Sequence, residues 1–335
     1  MNIAQEPVQP LLDFALRQRG PRRCVGCHTG SSGEWGEALK FRAIQIAVAE
    51  TVCYTSGNRN RTRSQMPTIQ RGDATLHYYL DDFTDPWRDS PDAIALQHGF
   101  SRNGNFWYNW PPLLSREYRV IRPDMRGMGR SSINPARYEP TLDTLMGDLL
   151  AILDDAEAEQ VVYVGESFGG IMGMQFAHDY PERCRALVLC NSPCRLTRRE
   201  SATPGGSWLA TMEEGGIGAW SAATIDYRLD MRHAPEGLKD WYIAEMDKTP
   251  GEIGQALHRY LDSLDFGPHL KDIAVPTLLL TGDESLTTGM EQQEFMASQI
   301  PNSRLDVWHG LGHGVNVIYP EWCVERIREF LGETG

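Results

Sequence analysis

The chain of 335 residues is 41% hydrophobic and 23% charged, an ordinary balance for a globular protein and long enough for one large α/β domain with an insertion. A formal net charge of -13 argues against nucleic acid or an anionic membrane surface as partner, while local charge in a pocket could still hold an anionic small substrate. No run approaches the ~18 to 20 apolar residues that span a bilayer, and no secretory signal pattern is visible, so a cytoplasmic protein is expected.

Residues 1–65 differ from the rest: nine Lys or Arg against five Asp or Glu, which leaves -17 for residues 66–335. Within them Cys24-Val25-Gly26-Cys27-His28 matches the haem-attachment pattern Cys-x-x-Cys-His. With no export signal and a Gly/Ser stretch after it, the match reads as incidental, and neither cofactor nor metal is expected. The seven cysteines read as reduced, mostly buried thiols. Ser56 to Ser64 is basic, polar and aperiodic, so residues 1–65 are expected to be a disordered or non-native extension before a domain that opens at Met66.

From Met66 onward strand and helix patterns alternate, which predicts a mostly parallel sheet covered by helices. Strands are predicted at 93–97, 118–122, 161–164, 186–190, 277–281 and 304–307. Helices are predicted over 105–116, 141–157, 168–179, 290–300 and 321–331. The strands are short continuous apolar runs, as expected when both faces of a sheet are covered. Alternation stops at 195–266, a stretch rich in aromatics and Met that reads as a helical cap. It divides the core into 66–194 and 267–335. Most aromatics of such an insertion form its own core; Trp208, Trp220 and Trp241 are the candidates for a substrate-facing side.

Chemistry concentrates at strand ends. Gly165-Glu166-Ser167-Phe168-Gly169 follows the apolar run Val161–Val164 and opens a helix. A sharp strand-to-helix turn holds a serine with its hydroxyl projecting from the sheet, and the glycines let neighbouring backbone pass. Ser167 is therefore the candidate nucleophile. The loop His98-Gly99-Phe100-Ser101 ends an earlier strand, so the N–H groups of Phe100 and Phe168 are candidates for an oxyanion hole. His313, in Gly310-Leu311-Gly312-His313-Gly314 after the last strand, is the candidate base, with His98 structural. Asp283, or alternatively Glu284, closes the strand 277–281 and would complete the chain order Ser, acid, His.

These segments, with Asp124-Met125-Arg126-Gly127-Met128-Gly129-Arg130-Ser131, resemble the α/β-hydrolase superfamily over residues 66–333. The nearest general likeness is to the branch of 3-oxoadipate enol-lactonases and haloperoxidase-like esterases. That resemblance implies an eight-stranded, mostly parallel sheet with helices on both faces, and cofactor-free hydrolysis of a small ester or lactone through an acyl-enzyme. It also implies a departure, because the position where that branch usually carries its acid is Ser285 here. Glu166 is a more remote substitute, and the strand end Asn191-Ser192-Pro193-Cys194 offers no carboxylate. Arg102, Asn103 and Asn105 are expected to be solvated at the surface. A small-molecule substrate is the expected partner, with a homodimer left open. Two rivals share the scaffold: a cofactor-free dioxygenase, distinguished by oxygen uptake, and a ligand receptor with little turnover, distinguished by ligand-induced stabilisation.

Overall fold

The computed structural model describes residues 64–88, 91–196 and 207–334. Among the described residues nine strands build one sheet: β1 (Ser64–Gln65), β2 (Thr68–Arg71), β3 (Ala74–Asp81), β4 (Ala93–Gln97), β5 (Arg119–Pro123), β6 (Val161–Glu166), β7 (Cys184–Cys190), β8 (Thr277–Gly282) and β9 (Ser303–Trp308). Their order is β1-β3-β5-β4-β6-β7-β8-β9, with β2 also on β3. Strands β4 to β9 are mutually parallel, and β3 joins β5 antiparallel. The ninth strand beyond the expected eight comes from Pro67. Lacking an N–H, it splits the edge partner of β3 into β1 and β2, although its carbonyl still accepts from Tyr78 N–H at 3.2 Å. Pairing of Ser64 and Gln65 with Asp81 and Leu80 also starts the sheet before Met66. The remainder of 1–65, including the Cys24–His28 motif, lies outside the described residues.

The helices are α1 (Pro111–Leu114), α2 (Leu142–Asp155), α3 (Phe168–Asp179), α4 (Trp208–Arg228), α5 (Leu238–Met246), α6 (Gly251–Leu261), α7 (Met290–Gln299), α8 (Val315–Ile318) and α9 (Pro320–Thr334). Strand alternation divides the core. Val161, Tyr163, Leu187 and Leu189 pack on the side of α2 and α3, while Val162, Val164, Val188 and Leu280 pack with Trp110 and α9. Helix α2 shows the local logic. The Thr141 hydroxyl accepts from Thr144 N–H at its start, and Leu145, Leu149 and Ile152 recur on its buried face. The single helix expected over 105–116 is instead a 3₁₀ turn (Gly104–Trp107) followed by the one-turn α1. Pro111 and Pro112 explain the break, since proline is accommodated only in a first turn.

Between β7 and β8 lie α4, α5 and α6, with α4 bent at Gly216 (φ 75°, ψ -172°). Helices α4 and α5 bury their own cluster, including Met212, Ile217, Trp220, Tyr242 and Met246, against Phe106 and Val317, while α6 buries Ile253, Leu257 and Leu261 in the core on the α2 and α3 side of the sheet. Cys184, Cys190, Cys194 and Cys323 are free and buried. Among the described residues, no helix is long and apolar enough to cross a membrane.

Candidate active site

Ser167 stands between β6 and α3 with φ 54° and ψ -118°, a conformation an L-residue avoids and one that costs ~1–3 kcal/mol unless the surroundings enforce it. The enforcement is visible. Ser167 N–H continues the sheet pairing to the Cys190 carbonyl at 3.1 Å, and Gly170 N–H returns to the Ser167 carbonyl at 2.9 Å. The preceding loop lies so close that a Cβ on Gly99 would stand 2.5 Å from Glu166 Oε2 and 3.1 Å from Ser167 Cβ. Only glycine fits there. Among the described residues, the Ser167 hydroxyl has no hydrogen-bond partner, and the side chain is partly open.

The loop carrying Phe100 is fastened on both sides. His98 Nδ1 bonds the Gly99 carbonyl at 2.9 Å and its Nε2 accepts from Met125 N–H at 3.0 Å, which fixes one neutral tautomer. Burial pushes the pKa of His98 down to about 4. Asp124 accepts from Gly104 N–H at 2.6 Å and bonds His77 at 2.8 Å, and Thr249 Oγ1 donates to the Ser101 carbonyl at 3.2 Å. Among the described residues, Phe100 N–H has no backbone acceptor. Phe168 is the first residue of α3, where a helix leaves its N–H without an intrahelical partner.

His313 is buried, and its loop is gripped from two directions. Asn191 Oδ1, at the end of β7, accepts from the N–H groups of Gly314 and Val315 at 3.1 and 3.0 Å. Asp230, just beyond α4, accepts from Gly312 N–H at 2.7 Å, and its own N–H donates to the His313 carbonyl at 2.9 Å. The ring so held places Nδ1 at 2.6 Å from Thr287 Oγ1 and 3.2 Å from Ser285 Oγ. Nε2 lies 3.6 Å from Glu166 Oε1, too far for a hydrogen bond but close enough for the carboxylate to attract the ring once it is protonated.

Neither expected acid reaches that ring. Asp283 N–H pairs with the Trp308 carbonyl and Glu284 N–H with the Leu311 carbonyl, so the chain leaves β8 still bonded to the β9 side. The Asp283 carboxylate accepts from Gly310 N–H at 2.7 Å and bonds His309 Nδ1 at 2.8 Å, contacts that hold it below the usual carboxylate range. Glu284 is exposed and pairs with Arg232 at 2.7 Å. The side chains turned toward His313 are hydroxyls, with Ser285 Oγ also bonded to Thr288 Oγ1 at 2.9 Å and accepting from Thr288 N–H at 3.1 Å.

Three polar residues expected at the surface are instead inside or partly so. Asn103 and Asn105 donate their amides to Glu245 at 3.1 and 3.3 Å. Arg102 is buried, ion-paired with the buried Glu166 and lying over the rings of Phe106 and Tyr242 at 5.5 and 5.0 Å. Burial alone would raise the Glu166 pKa, but Arg102 and His313 outweigh it and hold the carboxylate ionised. For His313, burial lowers the pKa, Glu166 opposes, and Arg102 and Arg228 add to the lowering, so the ring is neutral at pH 7. A charged residue three positions after the glycine that follows a strand carries no sequence mark of burial, which is why Arg102 read as solvated.

Of the tryptophans, Trp220 packs edge-on to Phe100 with ring centroids 5.1 Å apart, and Trp208 lies 5.4 Å from Trp220 and stacks on His258. Trp241 sits elsewhere, against Phe106 and Tyr108. Among the described residues, one group could hold a metal ion: His178, His269 and Asp272, with ligand atoms within 4.8 Å of one another. It lies at the far end of α3, about 16 Å along the helix from Ser167.

A sequence profile for the alpha/beta hydrolase fold matches residues 92–215. The chain is 24% identical over 274 residues to a protein of Pseudomonas syringae pv. syringae (strain B728a) named "Putative carbamate hydrolase RutD", covering 72% of this chain and 94% of that one. Among solved structures, a hydrolase from Pseudomonas aeruginosa PA01 superposes with TM-score 0.70 at 25% identity, over 82% of this chain and all (100%) of that one. The enol-lactonase from Burkholderia xenovorans LB400 also gives TM-score 0.70, at 21% identity over 79% and 100% of the two chains.

Proposed function

We propose that this chain, which belongs to the α/β-hydrolase superfamily, hydrolyses a small ester or lactone through an acyl-enzyme on Ser167. The observation that carries the reading is the strained Ser167 at the β6–α3 turn, its hydroxyl uncommitted, next in the chain to Glu166, whose Oε1 lies 3.6 Å from Nε2 of the buried His313. Ser167 Oγ attacks the carbonyl while His313 Nε2 takes its proton. The Phe100 and Phe168 N–H groups receive the oxyanion, each donor contributing ~3–4 kcal/mol to the barrier reduction. His313 then protonates the leaving group and activates water for deacylation. Small apolar acyl or alcohol groups meet Trp220 and Trp208 under a cap formed by α4 to α6.

In place of a carboxylate, Thr287 and Ser285 orient His313. A hydroxyl accepts Nδ1–H and so selects the tautomer with Nε2 free, but it stabilises the imidazolium less than an acid would. Glu166 supplies negative charge from the Nε2 side, partly cancelled by Arg102. A slow hydrolase is expected. The same hydroxyl pair favours, as a second reading, a ligand-binding protein with weak turnover; the cofactor-free dioxygenase is separated from both by oxygen uptake.

Intact-mass analysis after fluorophosphonate labelling tests the assignment. One adduct on the wild type and none on Ser167→Ala is expected. A folded wild-type protein that takes no adduct would exclude an activated serine and leave the binding reading.

A further inference from the structure

Four arginines are buried among the described residues: Arg102, Arg122, Arg126 and Arg228. Three carry their own carboxylate, Arg102 with Glu166, Arg122 with Asp81 at 2.8 Å and Arg126 with Asp148 at 2.5 Å. Arg228, the last residue of α4, is 6% exposed and pairs with none among the described residues. Its Nε donates to Thr224 Oγ1 at 3.0 Å, its Nη2 to the Ser221 carbonyl and hydroxyl at 3.0 and 2.9 Å, and its Nη1 to Tyr242 OH and Met246 Sδ at 3.2 and 3.0 Å. The guanidinium lies over the Trp220 ring at 4.3 Å. All these partners are neutral, and a thioether is a weak acceptor.

The unbalanced charge belongs to the site rather than to a remote core. Tyr242 lies between Arg228, which donates to its hydroxyl, and Arg102, whose guanidinium stacks on its ring. Leu229 packs against Gly314, and Asp230 N–H binds the His313 carbonyl. Trp220, under Arg228, touches Phe100. Asp230, two residues on, is committed to Gly312 N–H, Arg232 and His233. Glu166 is committed to Arg102, and His313 is uncharged at neutral pH. Arg102 with Glu166 and Asp230 with Arg232 each pair off, which leaves Arg228 as the buried cation with no carboxylate partner among the described residues. Burial, with Arg102 adding to it and Tyr242 and Glu166 opposing, pushes the Arg228 pKa down to about 10, so it stays protonated at pH 7 and awaits a counter-ion.

We propose that Arg228 is the seat of a substrate carboxylate, so that the ester or lactone cleaved at Ser167 is an anion. The proposal rests on the hydrolase reading above and names its substrate class. A carboxylate takes the place of Met246 Sδ and the Tyr242 oxygen on the Arg228 guanidinium, Tyr242 OH turns to donate to it, and the guanidinium gains the counter-ion it lacks. The overall charge of -13 would disfavour such a substrate at long range, so selection must come from this desolvated contact.

The test compares 4-nitrophenyl hydrogen adipate with its methyl ester, 4-nitrophenyl methyl adipate, together with the glutarate and suberate pairs to vary reach. The ratio of kcat/KM, anion over neutral ester, is read within each protein, which removes any loss of folded fraction. The wild type is expected to favour one anion by about tenfold or more. In Arg228→Met the ratio is expected to fall to near one, and in Arg228→Lys to an intermediate value. A wild-type ratio at or below one for every chain length, or a preference that survives in Arg228→Met, overturns the proposal. Should Arg228→Met not be recovered folded, an unchanged ratio in Arg228→Lys overturns it equally. If no ester is cleaved and Ser167 takes no fluorophosphonate, the hydrolase reading has failed separately. Calorimetry with monomethyl and dimethyl adipate then decides the subsite, since binding of the monoanion alone, lost in Arg228→Lys or Arg228→Met, supports it and equal or absent binding of both overturns it.

Discussion

The Ser285 hydroxyl points at His313 Nδ1 from 3.2 Å. Ser285→Asp is therefore expected to supply the missing charge without moving the loop. The new carboxylate would raise the His313 pKa, shifting the acid limb of the kcat/KM profile upward from below 6.5, and would raise kcat by at least about tenfold. Profiles of the two proteins measured side by side decide this. An unshifted limb with unchanged kcat would show that the hydroxyls are not the histidine's partner in solution. This residue also marks where the sequence stopped being legible. Ser167, His313 and the Phe100 loop are announced by glycines and strand ends, because backbone geometry needs those residues. Which side chain meets Nδ1 depends on a turn of four residues whose path is set by the β8–β9 bonding of Asp283 and Glu284. No local pattern encodes that path.

At the scale of elements, the parallel core was readable because buried strands are continuous apolar runs, and their observed limits lie within two residues of those predicted. The helix expected over 105–116 failed for a reason visible in hindsight, the Pro111–Pro112 pair. The three helices between β7 and β8 were legible as a break in alternation, but their contacts with the site were not, because Arg228 and Tyr242 meet Arg102 only through tertiary packing. The end of β7 provides a sharper test of how elements hold the base. Asn191, at φ 44°, accepts two N–H groups from the His313 loop and donates to Thr281 Oγ1 at 3.2 Å. Asn191→Ala strands both donors, at ~1–3 kcal/mol in stability, and should lower kcat by more than the urea midpoint alone implies. Asn191→Asp, which keeps the acceptor, should retain more of the activity. Equal activity loss in both variants would mean that Asn191 acts on the fold and not on the loop.

For the whole molecule, the buried ionisable groups set an acid boundary. His98 is held neutral in the folded state, with its pKa lowered from 6.5 to about 4, and His313 is shifted the same way. The unfolded chain takes up protons below pH 6.5 that the folded chain refuses, so stability falls with pH across that window. His98 alone accounts for ~3 kcal/mol by pH 4. Glu166, with its folded pKa lowered, adds a further loss below the ordinary carboxylate range. Urea denaturation at pH 7, 5.5 and 4 should show a progressively earlier midpoint. A midpoint that does not move between pH 7 and 4 would contradict the buried neutral state of His98.

The loop that carries His313 has two anchors in different layers, Asn191 on the sheet and Asp230 on the chain leaving α4. His313 is thus mounted on a joint rather than on a wall. Were the inserted helices to swing away to admit a molecule, Asp230 would release Gly312 and the imidazole would lose half its mounting. Opening would then be mechanically interlocked with the position of the imidazole, which would be in register only while the helices are seated. If His313 is the base proposed above, such a chain would idle when open and engage on closure.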